Sequence, residues 1–178
     1  HLPYTVNSME RQGVSAIVIE DKIGFKRNSL FKDQKSAQQD SIKNFCKKIK
    51  KIKDSRKSED FLIVARIESF ILGKGLNDAL KRAYAYSKAG ADSILIHSKE
   101  STPNQIFSFS KIFRKSKYYK PMIAVPSSYS KTYEKDLFKN GFSIVIYANH
   151  LLRASYKIME KTALDILKFN RSYETEKN

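Results

Sequence analysis

A single cysteine in 178 residues, Cys46, rules out an intrachain disulfide and fits a reducing, cytoplasmic setting. No apolar run approaches the roughly 20 residues that a helix needs to cross a bilayer. The N-terminus, His1-Leu2-Pro3, has neither an initiator Met nor a charged-then-apolar leader, a start expected of a fragment or a processed chain. Acids are in the minority, 18 Asp and Glu against 34 Lys and Arg, for a formal net charge of +16. Such an excess suits nucleic acid, an anionic surface or anionic substrates. Here the lysines are spread along helices. In Lys47-Lys48-Ile49-Lys50-Lys51-Ile52-Lys53 the two isoleucines keep to one side, which is the solvated face of an amphipathic helix. No stacking-aromatic motif and no zinc-ligand spacing accompanies them, so neither nucleic acid nor membrane is expected as a partner. Cys46, in the same stretch, reads as a half-buried helix residue rather than a reactive thiol.

What the chain does have is a repeat of short apolar runs, at 15–19, 61–65, 93–96, 122–125 and 143–147. They are continuous rather than alternating, as expected of strands covered on both faces. A helical pattern follows each, over 36–53, 76–89, 102–114, 132–139 and 151–169. Thr102-Pro103 looks like a cap and first-turn pair. Gly13, Gly90 and Gly141 each precede a strand, where a helix would end in a left-handed residue. Repeated βα units with short connections make a parallel sheet. A closed (β/α)8 barrel takes about 250 residues, so five strands are too few. The chain also opens on a helix remnant over 4–12. The expectation is the C-terminal five βα units of a (β/α)8 TIM-type barrel, α/β in class, incomplete in this chain and forming one domain over 1–178. A five-stranded open sheet is the alternative.

Chemistry in parallel α/β proteins collects at the carboxyl ends of strands. Here those ends carry Glu20-Asp21, Arg66 with Glu68, His97-Ser98 and Asn149-His150. Carboxylates suit Mg²⁺, which keeps several of its waters. A guanidinium suits a carboxylate or phosphate in bidentate geometry, and an imidazole can donate to an anion or move a proton. Each residue also has a plainer reading. Arg66 and Glu68 share a strand face and could form a structural ion pair. His97 could be a satisfied core histidine, Glu20-Asp21 a cap, and His150 a helix-start residue. The segment 23–35, with Gly24, Lys26, Arg27 and Asn28-Ser29, has little apolar periodicity. It reads as a mobile lid or as an ordinary solvated loop.

Glu20-Asp21-Lys22, five residues, then Asn28-Ser29 is a fairly specific pattern. Together with Val64-Ala65-Arg66-Ile67-Glu68, Ala79-Leu80-Lys81-Arg82-Ala83, Gly90-Ala91-Asp92, His97-Ser98-Lys99 and Ala148-Asn149-His150, it resembles the phosphoenolpyruvate mutase family of the isocitrate lyase superfamily. The resemblance implies interconversion of phosphoenolpyruvate and phosphonopyruvate, the entry to carbon–phosphorus bond synthesis, with Mg²⁺ as cofactor. It implies Lys26, Asn28, Arg66 and His97 as the catalytic set, and Leu30, Ser29 and Ser98 on the substrate. Glu20 would hold the metal through water, with Glu68 supporting the site from behind. It also implies a homo-oligomer, a dimer of dimers. The family's earlier metal acids have no counterpart here, so the isolated chain is expected to be inactive. Phosphonopyruvate hydrolysis, or carbon–carbon lysis, is the alternative chemistry. A lyase would need a cysteine in the 23–35 segment, which has none. An inactive binding or assembly domain is the alternative outside enzymes.

Overall fold

The computed structural model describes residues 1–24 and 38–176. The chain forms two compact units, His1–Ile146 and Tyr147–Asn178. The first runs α1 (Leu2–Arg11), β1 (Ala16–Glu20), β2 (Lys22–Ile23), β3 (Gln38–Gln39), α2 (Ile42–Ser55), β4 (Leu62–Ile67), α3 (Gly75–Ala89), β5 (Ser93–Ile96), α4 (Asn104–Phe113), β6 (Met122–Ala124), α5 (Glu134–Lys139) and β7 (Phe142–Val145). Five strands pair in the order β1-β4-β5-β6-β7, every pair parallel. A doubly wound sheet reverses its strand order at a switch point. This one never does, which is the progression of a (β/α)8 barrel.

The apolar runs are continuous because both faces of the sheet find partners. On one face Ile63, Ala65 and Ile67 of β4, Ile94 and Ile96 of β5, and Met122 and Ala124 of β6 join the main core. The helices meet them with Phe45, Ile49, Ile52, Ala83, Tyr86, Phe109 and Phe113. On the other face Val64, Leu95 and Ile123 make a small second cluster, flanked by Val125 and Ile146. Val18 and Ile144, on the two outer strands, stay about half exposed at 48% and 47%.

Local sequence accounts for the helix limits. Helix α2 buries Phe45, Ile49 and Ile52 and leaves its lysines outside, as the repeat of two isoleucines among lysines foretold. It starts at Ile42, not at 36. Ser41 caps it by accepting from the Asn44 amide at 3.1 Å, and the preceding Gln38–Gln39 pairs antiparallel with Lys22–Ile23. Helix α4 starts at Asn104 with Pro103 before it, and Thr102 supplies no side-chain cap. The three helix-ending glycines all have positive φ; Gly90, at 110°, closes α3 in the left-handed form.

The second unit is α6 (His150–Phe169) followed by a 3₁₀ turn, Tyr173–Thr175. Left-handed Asn149 and Asn170 bound the helix, and asparagine tolerates that conformation better than most residues. His150 opens it, the plainer of its two expected roles, with its ring edge-on to Tyr147 at 5.8 Å. No described helix is long and apolar enough to cross a membrane.

The two-sidedness of α2 gives a stability contrast. Ile49→Ala should cost about 2–5 kcal/mol in urea unfolding, from lost burial and a residual cavity. Lys47→Ala, on the exposed face, should stay within about 0.5 kcal/mol.

Candidate active site

Strand pairing brings the first acid and the guanidinium together. Glu20 and Arg66 are register partners at the carboxyl ends of β1 and β4. The Arg66 Nε donates to Glu68 Oε1 at 2.6 Å and lies 3.7 Å from Glu20 Oε2. Glu68 is fully buried, whereas Arg66 and Glu20 each keep about a fifth of the side chain exposed, 22% and 21%. The pair thus has an inner carboxylate that holds the arginine and an outer one facing partly into solvent. Two carboxylates to one guanidinium leave this trio with one net negative charge. An anionic substrate therefore needs further positive charge from a cation or another side chain.

His97 follows β5 and is 4% exposed. Burial pushes its imidazole down from the ordinary 6.5 to about 4; Arg66 lowers it further and Glu68 opposes that. It is neutral at pH 7. Its Nδ1 is buried and has no hydrogen-bond partner among the described residues. Buried polar atoms are nearly always paired, so an orphan beside an arginine and a carboxylate is suited to a ligand or a water.

The second acid of the opening motif goes elsewhere. Asp21, the residue after β1, turns into the protein and has no exposure. It accepts from Tyr86 Oη at 2.7 Å, Gln39 Nε2 at 2.9 Å, the Glu68 amide at 2.9 Å and an Arg82 terminal nitrogen at 3.1 Å. All four partners donate, the arrangement an ionised carboxylate requires, while burial pushes the carboxyl above its ordinary value. Glu20-Asp21 is therefore not a pair of like acids at one mouth. Arg82 and Tyr86 were missed as members of this polar centre. Their signal was present: a charged and a hydroxyl group, four residues apart, among the apolar positions of a core-facing helix.

The other expected site residues fall into three places. Lys26, Asn28, Ser29 and Leu30 lie outside the described residues. The described strands on either side of that segment, Lys22–Ile23 and Gln38–Gln39, pair with each other. Ser98 is fully buried; its Oγ donates to Gln105 Oε1 at 2.7 Å and accepts from the Glu100 amide at 3.1 Å. Asn149 and His150 belong to the second unit. Cys46 is half-buried on α2, its Sγ 3.5 Å from the Ala85 carbonyl, and burial pushes the thiol up.

No group of three or more His, Cys, Asp or Glu that could hold a metal occurs among the described residues. Glu20 nevertheless fits one limited role. Among them its carboxylate meets only Arg66, at a long 3.7 Å, so it retains acceptor capacity. Mg²⁺ is commonly held by one or two carboxylates while keeping several waters. A cation there would also reverse the trio's negative charge.

His97 makes the folded protein acid-sensitive. Between pH 6.5 and about 4 the unfolded chain binds a proton that the folded chain refuses. Stability is fully present above pH 6.5, falls through that window, and levels off below it. The acid loss, measured by urea unfolding at pH 7.5 and 4.5, should be smaller in His97→Asn by up to about 3 kcal/mol.

Known proteins resemble this chain in sequence and fold. The phosphoenolpyruvate phosphomutase family model matches residues 1–167. The chain is 42% identical over 172 residues to the phosphoenolpyruvate phosphomutase of Tetrahymena pyriformis, covering 96% of this chain and 54% of that protein. Its fold matches the crystal structure of phosphoenolpyruvate phosphomutase from Streptomyces platensis subsp. rosaceus, with a TM-score of 0.90 at 34% identity, over 99% of this chain and 60% of that one. It also matches phosphonopyruvate hydrolase in complex with oxalate and Mg²⁺, with a TM-score of 0.84 at 34% identity, over 97% of this chain and 58% of that one. The chain thus spans a little over half the length of these relatives. The parallel βα sheet is the corresponding part of their TIM-type barrel, and the chain belongs to the phosphoenolpyruvate phosphomutase family, within the isocitrate lyase superfamily.

Proposed function

We propose that the protein interconverts phosphoenolpyruvate and phosphonopyruvate. The observation that carries this reading is Arg66, held by buried Glu68 beside partly exposed Glu20, with neutral His97 nearby. In phosphoenolpyruvate the bond from phosphorus to the enol oxygen breaks, and the phosphoryl group passes to the methylene carbon. A carbon–phosphorus bond forms, and no water or net proton is consumed. Both substrate and product are small and multiply anionic. Arg66 binds one anionic end through charge-assisted hydrogen bonds, its plane set by Glu68. His97, neutral, offers a ring N–H to a phosphoryl or carboxylate oxygen without adding a proton to the leaving group. Mg²⁺, when bound, would supply positive charge that offsets the anionic substrate. Glu20 would hold it through water.

The loosely bound phosphoryl group in transit must be kept from water. In this reading Lys26, Asn28, Ser29 and Leu30 serve that purpose, with Lys26 adding a cation. Ser98 would serve substrate binding from the segment between β5 and α4. Assembly as a dimer of dimers goes with the same reading.

Phosphonopyruvate hydrolysis is the second reading, because the hydrolase structure is as similar in sequence as the mutase structure, 34% in each case. Intact Asn28-Ser29 favours the mutase. Carbon–carbon lysis has less support: Cys46 is on α2, with its thiol directed at the Ala85 carbonyl.

Phosphorus NMR of the protein expressed from its full gene, given phosphonopyruvate and Mg²⁺, should show phosphoenolpyruvate. Inorganic phosphate with pyruvate would instead establish the hydrolase. Arg66→Ala should lower kcat/KM by about a hundredfold or more, the cost of removing a charged group that binds the substrate. Retained activity would remove Arg66 from the site.

A further inference from the structure

Asp21 stands at the meeting point of four chain segments. Its main chain accepts from the Asp40 amide at 2.8 Å and donates to the Arg66 carbonyl at 3.2 Å. One carboxylate oxygen takes the Glu68 amide, and the other takes Tyr86, Gln39 and Arg82. The donors are themselves cross-tied. Arg82 also donates to the Asp40 carbonyl at 2.8 Å, to Tyr86 Oη at 2.8 Å and to Asp78 at 2.8 Å. Gln39 also donates to Ser69 Oγ at 3.1 Å, and Ser69 in turn to Asp78 at 2.7 Å. The network joins the end of β1, the β3 segment, the turn after β4 and the core face of α3.

Such a network is a costly way to hold a fold. Taking a carboxylate and a guanidinium out of water costs several kcal/mol each, and apolar replacements of buried ion pairs are often no less stable. Two residues earlier, on β1, Ile19 packs against the core without polar help. What the polar version adds is direction. Only one residue, Glu68, stands between Asp21 and the active-site guanidinium. Its amide is fixed by Asp21, and its carboxylate grips Arg66 at 2.6 Å.

We propose that Asp21, Tyr86 and Arg82 are positioning residues, a buried hub that sets the placement of Arg66 through Glu68. They touch no reacting atom. The proposal rests on Arg66 binding substrate, as in the reaction proposed above. A shift in the turn after β4 would misplace Glu68 and rotate the guanidinium it holds. Small misplacements of a binding group weaken substrate capture out of proportion to their effect on the fold.

Asp21→Asn keeps the shape of the side chain but sets an amide among donors. Tyr86→Phe keeps the ring, 4.6 Å from that of Phe45, and removes only the hydroxyl. In the protein expressed from its full gene, each variant should raise the KM for phosphonopyruvate about tenfold, the loss of one charge-assisted bond, with a smaller change in kcat. The increase should shrink when the variant is combined with Glu68→Gln, because both act along one path. Amide hydrogen exchange of the unliganded protein supplies a second reading, which Tyr86→Phe delivers even if Asp21→Asn fails to fold. Exchange should quicken at Asp40 and at 66–69 and stay unchanged in β5. Unchanged KM, full additivity with Glu68→Gln, or unaltered exchange at 66–69 would each overturn the hub. Absence of turnover in the unsubstituted protein would instead sink the proposed reaction and leave the hub to be judged on exchange alone.

Discussion

The parallel pairing of β1 with β4 is the constraint on which the site depends. Its register sets Ile19 against Ala65 and Glu20 against Arg66. Strand side chains alternate, so this one alignment sends Ile19, Ala65 and Ile67 into the main core and leaves Glu20 and Arg66 on the other side. A slip of one residue would bury the charges and expose the isoleucines. The core on one face therefore enforces the chemistry on the other. The same coupling recurs at β5, where Ile96 lies in the core and His97 follows it out of the strand.

Buried charge is arranged in two groups around that pairing. In the first, Arg66 is shared unequally by Glu68 and Glu20. On the side facing α3, fully buried Asp21 and partly exposed Asp78 hold Arg82. Each buried charge has a partner of opposite sign, the condition under which such groups are tolerated inside a protein. His97 meets the same demand differently, by giving up its charge. The first group is left with a surplus carboxylate, the complement of a divalent cation. The other group is bonded largely within itself, as the proposed hub requires.

Most of the architecture was legible from pattern alone. The βα repeat, the glycines that end helices and the amphipathic α2 are local properties, written in the spacing of apolar residues. Boundaries were less legible where tertiary pairing competed with local preference. The stretch from 36 read as the start of a helix, yet Gln38–Gln39 pairs with Lys22–Ile23 and delays the helix to Ile42. Thr102 had the composition of a cap but does not form one. The polar residues Glu20, Arg66, Glu68 and His97 were legible as candidates, because polar side chains recur where apolar runs end. Their division of labour was not.

Glu20-Asp21 shows that division most clearly. From the sequence it is a pair of like acids at the end of an apolar strand, beside cations. That sequence fixes their chemical kind, their place at the carboxyl end of β1 and the family pattern to which they belong. Only the folded chain gives them different surroundings. One faces Arg66 and the other faces α3, where its partners Arg82 and Tyr86 lie 61 and 65 residues along the chain, beyond the reach of any local rule. Glu20 keeps acceptor capacity for a cation, because its one described partner stands at 3.7 Å. Asp21 has none to spare, because Tyr86, Arg82, Gln39 and the Glu68 amide converge on it.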